Sequence, residues 1–163
     1  MPTTTTAAER GTRQEEEQGA APDAMAELIE GLNHDLAAEY QAVITYRLFA
    51  SLATGPYRQE ARSFFEAEIP DELEHARFLA DKIVALGGEP TSEPLPVETT
   101  RDLRRMFEIG RAAEIDTIER YEERVRQAEA LGLTALKVRL EDLIVDETEH
   151  KEEMERILTN WPS

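Results

Sequence analysis

Apolar residues recur at helical spacing in four separate stretches of this chain, and each stripe is interrupted near its middle by an acidic residue. Leu28, Leu32, Leu36, Val43, Tyr46 and Ala50 share one face of a first helix, with Glu39 set into the same stripe and Asp23 placed to cap it. A second pattern, over 58–86, runs Phe65, Ile69, Leu79, Ile83 and Leu86 around Glu72 and His75, and stops at Gly87-Gly88. Pro70 is expected to dent it just before Glu72. The third, over 100–131 and capped by Thr99 or Thr100, aligns Leu103, Phe107, Gly110, Thr117, Tyr121 and Val125 with Glu114. The fourth, over 134–160, aligns Leu136, Leu140, Leu143, Met154 and Ile157 with Glu147 and His150. Amphipathic stripes of this kind predict an all-α chain whose four helices pool their apolar faces in one core. The connection over 87–99 (GGEPTSEPLPVET) bears prolines and exceeds the ~2–8 residues usual between bundle neighbours. At ~3.3–3.6 Å per extended residue it just spans the length of the bundle, which would make helices two and three parallel.

The polar interruptions follow a rule of their own. A shift of 75 positions carries Glu39, Glu72 and His75 onto Glu114, Glu147 and His150, so one Glu, Glu-x-x-His set occurs twice. In an antiparallel hairpin, residues equidistant from the turn lie level. The midpoint of Glu39 and Glu72 falls in Thr54-Gly55-Pro56 and that of Glu114 and Glu147 beside Gly132, so each pair meets across its own hairpin. Residues three apart sit about 60° apart around a helix, which aims the Glu and His of each Glu-x-x-His at one point. Four inward carboxylates without counter-ions would repel one another and lose hydration. Two divalent cations remove both problems, because four negative charges then meet four positive ones. Carboxylate with imidazole suits iron or manganese better than copper. One Glu from each of two helices with a Glu-x-x-His from each of the others is the arrangement of dimetal carboxylate bundles.

Composition narrows the function further. The 163 residues (18.4 kDa) suit a single domain, with 23–163 forming the bundle and 1–22 (MPTTTTAAERGTRQEEEQGAAP) expected as a disordered tail. No Cys is present, so neither disulfides nor thiolate sites enter. A net charge of −17 argues against nucleic acid and anionic membrane as partners and favours cations. No apolar run approaches the ~20 residues of a membrane span, and the N-terminus lacks a signal-peptide stretch, so a cytoplasmic protein is expected. His34 has no mate under the shift and reads as a surface residue. Glu68 and Asp71 read first as solvated helix residues and second as a guide for incoming metal. Tyr40 and Trp161 read as packing or interface residues.

LAAEYQAVITY, IPDELEH, AAEIDTIERY and VDETEH, which carry the four acidic positions, resemble the ferritin-like superfamily and within it bacterioferritin, over residues 24–158. The resemblance implies a ferritin-like antiparallel four-helix bundle with a long connection between helices two and three. It implies Glu39 and Glu114 as terminal metal ligands, Glu72 and Glu147 as bridging ligands, His75 and His150 as one ligand for each of two Fe ions per chain, and Tyr46 as a redox-active tyrosine. It also implies oxidation of Fe(II) by oxygen or hydrogen peroxide and storage of the ferric product. The second reading is a di-iron or di-manganese peroxidase or catalase without mineral storage. Leu73 stands where bacterioferritin carries its haem-ligating Met, so haem is not expected. The sequence ends at Ser163, soon after His150, without the fifth helix of 24-subunit cages. Thr117 occupies the place of the extra carboxylate of rubrerythrins. A smaller homo-oligomer is therefore expected, a dimer or a dodecamer, with Tyr40, Ile44, Phe64 and Phe78 as apolar contacts between subunits. An uncaged oligomer would need an enclosing protein shell to receive its product.

Overall fold

The computed structural model describes the backbone of residues 7–161 and the side chains of residues 22–161. Four helices occur in the order α1 (Ala7–Leu52), α2 (Arg58–Ala85), α3 (Leu103–Ala130) and α4 (Thr134–Leu158). Helix α1 passes through Pro22 and Asp23, so Asp23 is not its cap. The preceding residues are rich in Ala, Glu, Gln and Arg, whose helix propensity continues the helix there. Of the tail expected over 1–22, residues 1–6 lie outside the described residues, and the backbone of 7–22 belongs to α1. Helix α2 accommodates Pro70 without interruption, and it ends where Gly87, at φ 87°, lets the N–H of Gly88 reach back to the carbonyl of Ile83. At α3 the cap is Asp102, whose carboxylate accepts from the N–H of Arg105 at 3.0 Å. Thr100 takes the turn before it, accepting from the N–H of Asp102.

The long connection is a strap along α1. Asn33 donates to the carbonyl of Glu89 and accepts from the N–H of Thr91; the N–H of Leu95 donates to the carbonyl of Ala37, and Gln41 donates to that of Pro96. The strap thus climbs α1 in the direction of the chain, so α3 begins at the far end of the bundle. Helices α2 and α3 are therefore parallel, and each hairpin, α1 with α2 and α3 with α4, is antiparallel.

Two packed clusters flank the middle of the bundle. At one end Leu28, Leu32, Leu36, Leu79, Ile83, Tyr121, Leu136, Leu140 and Leu143 are buried together. At the other, Tyr46, Phe49, Phe65, Met106, Phe107 and Met154 form a cluster rich in rings. Tyr40 and Phe78 pack against the first cluster and Phe64 against the second, so of the four expected contact residues only Ile44 is exposed. Gly110 lets α3 approach closely, since a Cβ there would stand 2.8 Å from the sulfur of Met154. A buried ion pair joins α1 to α3: Asp35 accepts from Arg120 at 3.1 Å and lies 3.4 Å from Nε of Arg124, whose guanidinium occupies the space left by Gly31.

Candidate metal centre

Between the two clusters the four stripes bring their acidic interruptions to one place. Glu39 on α1, Glu72 on α2, Glu114 on α3 and Glu147 on α4 are all buried, as is His75; His150 is nearly so. Donor atoms of Glu39, Glu72, His75 and Glu147 lie within 4.8 Å of one another, and so do those of Glu72, Glu114, Glu147 and His150. Glu72 and Glu147 belong to both groups. Nδ1 of His75 is 3.0 Å from Glu147 and 3.6 Å from Glu72, while Nδ1 of His150 is 3.2 Å from Glu147 and 3.9 Å from Glu72.

The electrostatics describe a cavity built for positive charge. Burial, reinforced by the other carboxylates, pushes the Glu72 and Glu114 carboxyls well above the usual carboxylate range. Burial and Glu147 raise Glu39 to about 7. Glu147 goes the other way: burial alone would raise it, but hydrogen bonds from both imidazoles hold it down to about 2. His75 answers in kind. Burial works against its charged form, yet Glu147, Glu39 and Asp146 lift it to about 9. Protons and imidazolium charge thus offset the clustered carboxylates in the metal-free protein. Divalent cations would displace both, and they would also satisfy Oε1 of Glu72, a buried acceptor without a hydrogen-bond donor. The donor set of four carboxylates and two imidazoles fits two hard or borderline cations.

Residues outside the ligand types complete the symmetry. Tyr46 donates to Glu114, and Tyr121 donates to Glu39, each hydroxyl crossing to the opposite hairpin. Nε2 of His75 lies 3.4 Å from Asp146, and Nε2 of His150 lies 3.6 Å from Asp71 and 3.2 Å from Glu68. Carboxylates in these places orient each ring so that Nδ1 faces the cavity. Tyr121 and Asp146 are the mates of Tyr46 and Asp71 under the 75-residue shift, so the same repeat that marked the candidate ligands contained both.

The site has two approaches of opposite character. On the α2/α4 side the half-exposed carboxylates of Asp71 and Asp146 stand over the imidazoles. On the α1/α3 side, beneath Leu95 and Pro96 of the strap, a cavity of about 460 Å³ reaches Glu39, Glu72 and Glu114 between the small side chains of Ala38, Ala42, Thr45, Ala113 and Thr117.

A four-helix bundle with two interlocked carboxylate and imidazole groups defines the dimetal carboxylate class of helical protein. The chain belongs to the ferritin-like family: the model of the Ferritin-like domain matches residues 29–163. It is 31% identical to a bacterioferritin of Streptomyces coelicolor over 131 residues, 79% of this chain and 78% of the relative. Among solved structures it is similar to a ferritin-like, diiron-carboxylate protein from Bacillus anthracis, with a TM-score of 0.81 and 52% identity over 83% of this chain and 97% of the other. It is also similar to the bacterioferritin of Desulfovibrio desulfuricans, with a TM-score of 0.77 and 26% identity over 85% and 82% of the two chains. Among the described residues no helix is long and apolar enough to cross a membrane.

Proposed function

We propose that the protein is a ferroxidase that binds two Fe(II) per chain and oxidises them with oxygen or hydrogen peroxide. The observation that carries this reading is the sharing of Glu72 and Glu147 between two donor groups, each completed by its own His and its own further Glu. In this assignment Glu72 and Glu147 bridge the two ions, Glu39 and His75 hold one, and Glu114 and His150 hold the other. The similarity to a diiron-carboxylate protein and to bacterioferritins supports iron as the metal. With peroxide as oxidant, two Fe(II) supply the two electrons that, with two protons, convert one peroxide into two waters.

The chain's own residues divide the work. Asp71, Asp146 and Glu68 attract Fe(II) to the α2/α4 side and fix the imidazoles. The cavity on the α1/α3 side admits a small uncharged oxidant to the opposite face of the carboxylates. Tyr46, hydrogen-bonded to Glu114, is placed to give up an electron while its proton moves to that carboxylate. Exposed Ile44, Leu48 and Leu73 favour assembly into a homo-oligomer. Anaerobic Fe(II) titration followed by stopped-flow oxidation tests the reading. Two Fe(II) bound and oxidised per chain support it, and no saturable binding overturns it. Mineral capacity separates the two readings of the site, since a store retains many irons per chain and a peroxidase or catalase retains about the two it binds.

A further inference from the structure

The tyrosines that face the site alike are backed by different surroundings. Tyr121 lies among leucines. Tyr46 stacks on Phe65, with ring centroids 5.6 Å apart and planes at 27°; Phe65 stacks on Phe107 at 4.8 Å and 27°; and Phe107 meets Trp161 at 5.9 Å. Trp161 is the sole tryptophan of the chain. It is half-buried and lines an apolar groove at the end of the bundle with Tyr57, Phe64 and Ile157. One end of this aromatic file therefore touches the candidate metal centre through Glu114, and the other opens on solvent.

We propose that Trp161 is the outer station of an electron path into the site, with Tyr46 as its inner station. The proposal rests on the ferroxidase reading for its source of oxidising power and on the ring contacts for its route. Its use arises when peroxide meets a site with one Fe(II) to give. One electron then comes from Fe(II) and the second from Tyr46, whose O–H proton passes to the Glu114 oxygen that already accepts its hydrogen bond. With two further protons from water, peroxide becomes two waters. An electron from the Trp161 indole then restores the phenol, and the proton returns from Glu114. The indole loses its N–H proton to water at the groove and is returned to its starting state by a one-electron reductant in solution, such as ascorbate, together with a proton. Phe65 and Phe107 are too hard to oxidise to hold the charge themselves. Their stacked rings are the packed medium across which the electron tunnels. Tyr121 has no such backing, so the path belongs to one half of the site.

Electronic coupling is the same in both directions, so transfer can be started from the tryptophan end without iron. Azide radicals generated by pulse radiolysis oxidise indole selectively. In the full-length protein loaded with redox-inert Zn(II), which leaves Glu114 free of its own proton and able to take that of the phenol, the indole radical absorption is expected to decay as the phenoxyl absorption grows. The rate should be independent of protein concentration. Tyr46→Phe should abolish this growth, Phe107→Leu should slow it several-fold, and Tyr57→Phe and Tyr40→Phe should leave it intact. Growth that persists in Tyr46→Phe, or that fails to occur in the Zn(II)-loaded native protein, would overturn the path. In the protein loaded with one Fe(II) per chain and treated with peroxide, Trp161→Phe should lengthen the life of the tyrosyl signal in freeze-quench electron paramagnetic resonance while leaving the first rate of Fe(II) oxidation unchanged. The radiolysis arm needs no iron chemistry, so its outcome stands whether or not the ferroxidase reading holds.

Discussion

The two ends of this bundle are built on different principles although the centre between them is symmetric. Towards Tyr121 the core is aliphatic, a stack of leucines with Ile83. Towards Tyr46 it is a file of rings in stacked and edge contact. The six candidate ligands, the two tyrosines and the two outer aspartates all obey one shift along the chain. The packing behind them does not. Ligand geometry tolerates little change, because each donor must sit within reach of a shared point, whereas a core accepts any well-filled apolar combination of the right volume. Where the repeat persists it therefore marks a constraint from chemistry. Where it lapses the sequence was free to diverge, and the aromatic end is such a divergence.

The most severe break of the symmetry is the loss of a shared carboxylate. Glu72→Ala and Glu147→Ala each remove a donor from both groups, and orienting partners alone are worth ~10–100-fold. Each should therefore slow Fe(II) oxidation by at least ~100-fold in stopped-flow measurements, and by similar amounts. Glu39→Ala and Glu114→Ala each touch one group, and should leave one of the two Fe(II) sites detectable by titration. A wild-type rate in either shared-carboxylate variant would remove the assignment.

The next effect is on stability as pH changes, and its sign follows from the shifts. Glu39 is raised from its ordinary 4.5 to about 7, so its contribution is complete below 4.5 and is lost as pH climbs through about 7. His75, raised from 6.5 to about 9, contributes fully below 6.5 and loses this as pH rises through about 9. Glu147 is lowered from 4.5 to about 2, so its contribution holds above 4.5 and disappears as pH falls through about 2. The metal-free protein should thus melt highest in mildly acid solution and lower towards pH 9. Mn(II), or Fe(II) without oxygen, should raise the melting temperature and do so most at the alkaline end, because bound metal displaces the protons. A metal-free melting temperature that climbs steadily from mildly acid solution to pH 9 would contradict the charge arrangement described.

Much of this is legible in the sequence. The four stripes placed the helices, and α2 and α4 begin where their patterns begin. That the six candidate ligands gather in one place was legible because each Glu interrupts an apolar face and recurs at a fixed shift. Tyr121 obeyed the same shift but is neither carboxylate nor imidazole, and Asp146 and Asp71 taken alone resembled any solvated helix residue. The cap of α3 was less legible, because Thr99, Thr100 and Asp102 all offer a suitable oxygen. The path of the strap decides among them, and that path is set by Asn33 and Gln41 on another helix. Phe64 and Phe78 are half-buried against the core while keeping an outer edge exposed, for a related reason. Residues flanking a stripe are sheltered by neighbours that a one-helix pattern does not contain.

A smaller effect tests whether the outer aspartates serve the two halves alike. Asp146 stands behind His75 and Asp71 behind His150, the latter with Glu68 beside it. Asp146→Asn and Asp71→Asn should each weaken metal binding, by ~10–100-fold where the carboxylate is the ring's main partner. Glu68 gives His150 a second support, so the Asp71 variant should lose less. Competition titration with a coloured chelator reads both constants. Equal losses would mean that Glu68 does not share the task.

The finest test of the comparison lies in the tyrosines. Each hydroxyl donates to a buried carboxylate across the bundle, and its removal leaves that acceptor with one partner fewer. Tyr46→Phe and Tyr121→Phe should each cost about 1 kcal/mol in chemical denaturation, since a typical intramolecular hydrogen bond contributes about that much net. In thermodynamic terms the halves should be indistinguishable, because both rings stay packed and only an oxygen is lost. Redox behaviour should separate them. Only Tyr46 abuts the rings that end at Trp161, so only its replacement should suppress the radical formed when peroxide is added to protein holding one Fe(II) per chain. An equal loss of that radical in Tyr121→Phe would place the electron source in the site as a whole rather than in its aromatic half.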